Sequence, residues 1–454
     1  MLHKFEFDGI KIVLDVNSGS VHIVDQLVWD LLEDCRQTPE DIIVRKYSQK
    51  YNPDDVLGAL AEIKQLEQKG LLFSADPCQG AYNPPARLEV KSLCLHLAHD
   101  CNMRCRYCFA GQGRFGGSDD LMPADTGRRA LDFLITRSGR RKHLEVDFFG
   151  GEPLMNFTVL QDLVAYGRER GCETGKEFKF TLTTNALLLD EKVAKYLNDQ
   201  NISVVLSLDG RREVHDAMRP KPGGAGSYDA VLARIKHFVD SRDGANYIIR
   251  GTYTRHNRDF CADVLHLADM GFKNLSIEPV VAPADAGYSL RAEDLSQLSS
   301  QYELLTRELL RRRRAGSPFS FFHFNIDLDG GPCLPKRLTG CGAGYEYMAV
   351  APNGDIYPCH QFVGREEYLV GNVSEENLND RVISLFRTAH MYNKKTCTGC
   401  WARFFCSGGC HANAEMSNGT ILEPYSLGCD LARKRLECAL YLKAAESGVQ
   451  QKKT

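Results

Sequence analysis

The chain has 454 residues, of which 43% are hydrophobic and 25% charged, a composition typical of a folded globular protein. Its formal net charge of −3 excludes the strongly basic field on which nucleic-acid binding depends. The first residues lack an apolar signal segment and no apolar run is long enough for a membrane span, so we expect a cytoplasmic protein that binds neither membrane nor nucleic acid. The seventeen cysteines therefore favour metal or redox chemistry over disulfides.

Residues 1–75 predict three short strands followed by three helices. The strand segments HKFEF, IKIVLD and SVHIVD are rich in β-branched and aromatic residues. Pro39 marks the start of one helix and Gly70 the end of another. This order predicts a small winged-helix-like domain, and the Pro-, Gly- and Asn-rich residues 76–90 predict a linker.

Residues 91–315 alternate short apolar strands with helices. Six strand–helix units indicate an α/β fold with a parallel sheet, either open or curled into part of a barrel. In such folds the functional sites lie at the carboxyl ends of the strands. The last helix ends near residue 314, and its four terminal arginines (311–314) suit either a solvated helix end or capture of a peptide or phosphate.

Three cysteines follow the first strand of this region directly, with the spacing Cys-x3-Cys-x2-Cys. Cys101, Cys105 and Cys108 can supply three of the four ligands of a 4Fe–4S cluster, leaving one iron open. The alternative is a structural zinc site, which requires a fourth ligand. His99 is the nearby candidate for that ligand.

This cysteine motif, with an aromatic residue before its last cysteine, resembles that of the radical S-adenosylmethionine (SAM) enzymes. The segments FFGGEP, TTNA, SLDG and HDAMRP continue the resemblance in order along the chain. It implies a partial (β/α)6 barrel in which the three cysteines are catalytic, because they hold the cluster that cleaves SAM to a 5′-deoxyadenosyl radical. The residues that it implies for SAM binding are Tyr107, Gly150, Gly151, Glu152, Thr184, Asn185, Ser207, Asp209 and Arg250.

Residues 316–454 contain a second set of seven cysteines, whose spacing resembles the SPASM domain with its two auxiliary 4Fe–4S clusters. By this resemblance the distal cluster is held by Cys397, Cys400, Cys406 and Cys429, and the proximal cluster by Cys341, Cys359 and Cys410. Either Cys333 completes the proximal cluster, or an iron stays open to a substrate thiolate. A zinc ribbon is the alternative, but the cysteines interleave too much for one.

Most of the chain resembles the maturases of Cys-rich SCIFF peptides, the sactipeptide and ranthipeptide enzymes that form thioethers. The segments that carry this resemblance are KFEFDGIKIVLDVNSGSVHIVD, CLHLAHDCNMRCRYCFA and GCGAGYEYMAVAPNGDIYPCHQFVG. It implies that the N-terminal domain adds the leader of a precursor peptide to a sheet edge. An external one-electron reductant, ferredoxin or flavodoxin, is also implied. A structural cap or a DNA-binding winged helix is the alternative for this domain, and its acidic residues disfavour DNA.

Two other functions remain to be weighed. Anaerobic sulfatase-maturing enzymes, which make formylglycine, carry an Asp after the second SPASM cysteine, whereas this chain has His360 there. A non-catalytic iron–sulfur electron carrier would not account for the ordered SAM-binding motifs. We therefore expect a thioether-forming enzyme, with the sulfatase-maturing type as the alternative.

Overall fold

The computed structural model describes residues 1–76, 78–80, 82–85, 88–328 and 334–451. Side chains are described for all of these except 334–335 and 447–451. The two alternatives for Cys333 therefore lie outside the described residues. The boundaries expected near residues 75, 90 and 315 stay predictions.

The N-terminal segment forms a three-stranded antiparallel sheet and three helices, in the order that the sequence predicts. These elements are β1 (Leu2–Phe7), β2 (Ile10–Asp15), β3 (Val21–Val24), α1 (Gln26–Asp34), α2 (Glu40–Tyr47) and α3 (Pro53–Gln68). Asp8 and Gly9, with φ angles of 46° and 79°, make the tight turn between β1 and β2. An Asp-Gly pair suits such hairpins because both residues must adopt positive φ. The sheet order β1-β2-β3 leaves β3 as an edge strand.

Six parallel strands form the centre of the chain and confirm the predicted parallel sheet. They are β4 (Ser92–Ala98), β5 (His143–Gly150), β6 (Glu177–Thr184), β7 (Ser203–Ser207), β8 (Tyr247–Tyr253) and β9 (Asn274–Pro279). The helices between and after them are α4 (Ala124–Arg137), α5 (Phe157–Thr174), α6 (Glu191–Asp199), α7 (Arg212–Met218), α8 (Tyr228–Asp240), α9 (Phe260–Asp269) and α10 (Leu295–Arg314). A two-residue strand, β10 (Ser320–Phe321), pairs in parallel with β9.

The two faces of this sheet differ in burial. In β8, Ile249 and Tyr253 belong to the main hydrophobic core. Arg250, between them in the sequence, belongs to the opposite face and is exposed. Because successive side chains of a strand alternate between faces, one face is buried and the other offers polar groups to a ligand.

The C-terminal segment extends the same sheet rather than forming a separate one. Strand β11 (Tyr347–Val350) pairs in parallel with β4, and β12 (Asp355–Tyr357) and β13 (Gly371–Asn372) follow antiparallel. Gly354, with a φ of 92°, turns the chain between β11 and β12. The remaining helices are α11 (Leu334–Thr339), α12 (Asp380–Thr388), α13 (Lys395–Thr398), α14 (Arg403–Cys406), α15 (His411–Asn418) and α16 (Ser426–Gln451).

The N-terminal sheet packs against the cysteine-rich segment. The ring of His3 stacks on that of Trp401 with centroids 3.5 Å apart. The buried guanidinium of Arg403 pairs with Asp76 at 3.1 Å.

None of the helices in the described part of the chain combines the length and the apolar character that crossing a bilayer requires.

The arginines that end α10 form ion pairs, as a solvated helix end would. Arg311 pairs with Glu308 at 2.6 Å, and Arg312 pairs with Asp269 at 2.7 Å. Arg313 pairs with Glu446 of α16. These contacts favour the solvated helix end over capture of a peptide or phosphate.

Candidate functional site

Cys101, Cys105 and Cys108 lie in the loop that leaves the carboxyl end of β4. The backbone N–H groups of Arg104 and Arg106 hold this loop by donating to the carbonyls of Pro220 and Met218, both at 2.9 Å. The thiols of Cys105 and Cys108 lie close enough to that of Cys101 to interact with it electrostatically. Burial raises the pKa of Cys101 to about 12.

Raised thiol pKa values fit a cluster site. A buried thiolate is unfavourable alone, but iron binds the thiolate form and supplies the compensating positive charge. In the described part of the chain, no three His, Cys, Asp or Glu side chains converge as a single-ion site requires. A 4Fe–4S cluster spreads its ligands over four irons, and its ligation by these three cysteines stays a prediction.

Gly150 and Gly151 allow the end of β5 to approach the cysteine loop closely. A Cβ on Gly150, whose φ is 123°, would lie 2.3 Å from the carbonyl oxygen of Ala98. A Cβ on Gly151 would lie 2.1 Å from that of Asp100. The Gly151 N–H donates to Ala98 O at 2.7 Å, so any larger side chain would separate the two segments.

Glu152 joins the end of β5 to the end of β6. Its buried carboxylate accepts hydrogen bonds from the Thr184 hydroxyl at 2.7 Å, the Asn185 N–H at 2.8 Å and the Leu154 N–H at 3.1 Å. Burial raises its pKa to about 6 against the lowering effect of these donors. The structure thus assigns Glu152 a bracing role, and direct contact with SAM stays a prediction.

Asn185 connects Glu152 to Cys101. Its side-chain amide lies 3.7 Å from Cys101 Sγ and donates to Asn102 Oδ1 at 2.7 Å. Two segments more than 80 residues apart in the sequence therefore meet at one point. Thr184, Asn185 and Cys101 were all predicted for the same site.

Tyr107 and Asp209 contact each other in a buried network. The Tyr107 hydroxyl donates to Asp209 Oδ2 at 2.7 Å, and Arg219 Nη1 donates to the Tyr107 hydroxyl at 3.0 Å. Burial raises the pKa of Asp209, while the nearby Arg219 opposes the shift. Sequence reasoning assigned no role to Arg219, although the residue belongs to the HDAMRP segment that it had singled out.

Ser207 and Arg250 lie opposite each other in the register of β7 and β8. The Arg250 side chain is 43% exposed and donates to Glu278 Oε2 at 2.9 Å. Burial alone would raise the pKa of Glu278, but Arg250 and other cations hold it below its ordinary value. Glu278 was missed, although an acidic residue at the end of the sixth predicted strand was an available signal.

The seven C-terminal cysteines fall into two groups. We call Cys397, Cys400, Cys406 and Cys429 the distal group; all four line one cavity of about 270 Å³, and the Cys429 thiol interacts electrostatically with the other three. We call Cys341, Cys359 and Cys410 the proximal group; the thiol of Cys359 interacts with the other two. The grouping agrees with the ligand sets that the resemblance implies, and ligation itself stays a prediction.

His360 follows Cys359 and contacts aromatic residues. Its Nδ1 lies 3.0 Å from the Tyr347 hydroxyl, and its ring centroid lies 4.9 Å from that of Phe149. Burial lowers the pKa of His360 to about 4, so the imidazole is neutral at pH 7. The position that carries an Asp in sulfatase-maturing enzymes therefore holds a neutral group here.

Comparisons with known proteins match two segments of this chain to iron–sulfur cluster domains. The family model of a 4Fe-4S single cluster domain matches residues 91–233, and that of the SPASM iron-sulfur cluster-binding domain matches residues 341–401. A cysteine-type anaerobic sulfatase-maturating enzyme of Clostridium novyi is 25% identical over 73% of this chain and 91% of its own. The mycofactocin maturase MftC of Mycobacterium ulcerans is 28% identical over 73% of this chain and 86% of its own.

Solved structures share the fold. The structure of anSMEcpe with bound AdoMet and the Cp18Cys peptide has a TM-score of 0.64 at 21% identity and covers 79% of this chain and 99% of its own. The structure of Streptococcus suis SuiB bound to precursor peptide SuiA has a TM-score of 0.54 at 19% identity. The match covers 92% of this chain and 96% of the SuiB chain. Both matched family models describe iron–sulfur cluster domains, which supports iron–sulfur clusters as cofactors of this chain. The chain contains regions that match two iron–sulfur cluster domain families and is similar to radical SAM/SPASM maturases.

Proposed function

We propose that this protein installs thioether crosslinks in a Cys-rich precursor peptide, in which a cysteine sulfur is bonded to a carbon of a second residue. The observation that carries the proposal is the edge strand β3 with the groove beside it. That surface offers a place for a peptide leader outside the barrel. The resemblance of the whole chain to the SCIFF maturases supports the choice of reaction.

The groove lies between β3 and α3 and has a volume of about 200 Å³. Ile23 of β3 is 51% exposed beside it, and Ile63 and Leu66 of α3 line its other side. An edge strand presents unpaired backbone groups, so an extended peptide can add to it and place alternate side chains in the groove. SuiB, a structure of the same fold that binds a precursor peptide, covers more of this chain than anSMEcpe does, which supports a leader-bearing substrate.

The cofactors supply one-electron reduction of the SAM sulfonium and, from it, a 5′-deoxyadenosyl radical that abstracts hydrogen from the peptide. We propose that Cys101, Cys105 and Cys108 hold the cluster to which SAM binds. The distal and proximal groups would hold the auxiliary clusters, which makes three clusters in all. Ferredoxin or flavodoxin would provide the electron in the cytoplasm.

The side chains of this site would orient SAM and exclude water. Glu152 keeps Thr184 and Asn185 at the cysteine loop, and Arg250 offers a guanidinium that matches a carboxylate. Phe115 and Phe149 pack in one apolar cluster with Cys108, which shields the loop from solvent.

The net change in the peptide is the loss of two hydrogens per crosslink. One C–H bond and one S–H bond break, and one C–S bond forms. The hydrogen atom goes to the SAM-derived carbon, and the thiol proton and one electron leave separately. Cys341, Cys359 and Cys410 would hold a cluster that could accept that electron, whether or not Cys333 also ligates it.

The sulfatase-maturing alternative converts a Cys or Ser to formylglycine. His360 speaks against it, because a neutral imidazole replaces the carboxylate that this family uses as a base. Tandem mass spectrometry after anaerobic coexpression with a Cys-rich precursor peptide separates the two functions. A loss of two hydrogens per crosslink, with cysteines that resist alkylation, supports thioethers. A product in which oxygen replaces a cysteine sulfur supports formylglycine and refutes the proposal.

A further inference from the structure

Lys394 is a fully buried lysine between the two C-terminal cysteine groups. Its side chain has 0% exposure. Its ammonium donates to the carbonyl of Gly408 at 2.8 Å and lies 3.4 Å from Nδ1 of His411. Gly408 lies between Cys406 and Cys410 in the sequence, and His411 follows Cys410 directly. The backbone carbonyl of Lys394 accepts from the Cys397 N–H at 2.9 Å.

The charge of Lys394 is not balanced by any carboxylate of the described residues. Within the described residues, Asp and Glu form no ion pair with this ammonium. Burial lowers the pKa of Lys394, and four thiolates oppose this shift, two from each cysteine group: Cys397 and Cys406 of the distal group, and Cys341 and Cys410 of the proximal group. A buried ammonium is costly unless an anion compensates it, and thiolates on an iron–sulfur cluster are anions.

We infer that Lys394 is a positioning residue that raises the reduction potentials of both auxiliary clusters by placing one positive charge between them. The inference rests on the proposed assignment of the seven cysteines as cluster ligands. Reduction adds a negative charge to a cluster, and a fixed cation nearby stabilises the reduced form more than the oxidised form. Because hydrogen bonds to backbone and imidazole hold the ammonium, this effect needs no rearrangement when the electron arrives.

The consequence concerns the electron that leaves the peptide during crosslinking. A higher potential makes an auxiliary cluster a better acceptor for that electron. Removing the charge should lower the ratio of reduced to oxidised auxiliary cluster at fixed potential by at least about tenfold. For a one-electron couple, tenfold corresponds to about 59 mV.

The test is a redox titration of the full-length, anaerobically reconstituted protein, followed by electron paramagnetic resonance. Replacing Cys101, Cys105 and Cys108 together by Ala leaves only the auxiliary signals to be observed. Lys394→Met removes the charge and the donor, Lys394→Gln removes the charge but keeps a donor, and Lys394→Arg keeps the charge. Lys395→Met is the matched control, because Lys395 is the exposed neighbour.

We expect the midpoint potentials to become more negative in Lys394→Met and Lys394→Gln and to stay unchanged in Lys394→Arg and Lys395→Met. Loss of the auxiliary iron in Lys394→Met, with retention in Lys394→Arg, also supports the inference. Unshifted potentials in the two neutral variants overturn it, as does equal loss of iron in the Arg variant. If the protein without the three loop cysteines contains no auxiliary cluster at all, the cysteine assignment fails and the inference fails with it.

Discussion

Replacing Glu152 with Gln should loosen the contact between the ends of β5 and β6. The Glu152 carboxylate accepts from the Asn185 N–H at 2.8 Å, and a glutamine amide can present a donor at that oxygen instead. A buried donor left without its acceptor costs about 1–3 kcal/mol. A free-energy difference of 1.36 kcal/mol corresponds to a factor of ten in an equilibrium constant. The local opening that exposes the Asn185 backbone N–H to solvent should therefore be about five to 150 times more frequent in the variant.

Global stability is a poorer measure of this change, because a second effect has the opposite sign. The folded-state pKa of Glu152, about 6, lies above its ordinary value of 4.5. The carboxyl group therefore favours the native state below pH 4.5, and about 2 kcal/mol of that contribution is lost as the pH rises through 6. Glutamine does not ionise, so at pH 7 it avoids this cost and offsets part of the lost hydrogen bond.

Hydrogen exchange followed by mass spectrometry, on a peptide that contains Asn185, isolates the local effect. Glu145→Gln is the matched control on the same strand, because Glu145 is 47% exposed and its ion pair with Lys91 spans 3.5 Å. A surface pair of this kind contributes little, so exchange at Asn185 should not change in the control. If Glu152→Gln leaves the exchange of this amide as slow as in the wild type, the bracing role is wrong.

The remaining predictions concern clusters, SAM and peptide. Anaerobic reconstitution should yield about 12 irons per chain, as three 4Fe–4S clusters require, and a content near four would contradict the auxiliary assignment. Replacing the three loop cysteines together by Ala should abolish formation of 5′-deoxyadenosine, and continued cleavage of SAM would disprove their role. Ile23→Glu should weaken precursor binding, measured by fluorescence anisotropy with a labelled leader, because it places a charge beside the proposed docking edge. Ile42→Glu, which alters a 49% exposed isoleucine on α2, should leave precursor binding unchanged. Equal weakening of binding by the two substitutions would count against the β3 edge as the docking site.

The resemblance and the strand pattern located most of the candidate site in advance. Cys101, Cys105 and Cys108 lie within eight residues, so their spacing can be recognised without any knowledge of the fold. The segments FFGGEP, TTNA and SLDG end successive strands, and parallel strands bring their carboxyl ends to one edge. Alternation of strands with helices was therefore sufficient to expect Glu152 and Asn185 near the cysteines.

The partners of these residues could not be predicted in the same way. Arg250 was chosen as a carboxylate partner, yet its pairing with Glu278 depends on the register of β8 against β9. Arg219 reaches Tyr107 from 112 residues away, and no local pattern reports such a contact. The pairing of β11 with β4 joins the C-terminal segment to the central sheet, and the sequence analysis did not predict it.

The sequence by itself determined the alternation of strands and helices and the spacing of the cysteines, because both are local properties of the chain, and its resemblance to known motifs predicted the class of chemistry. Only the tertiary structure decided which charges meet. Lys394 shows the difference, since in the sequence it is one of two adjacent lysines before Cys397. Folding buries one of them between two cysteine groups and leaves the other in solvent, because packing across distant segments sets the burial of each side chain.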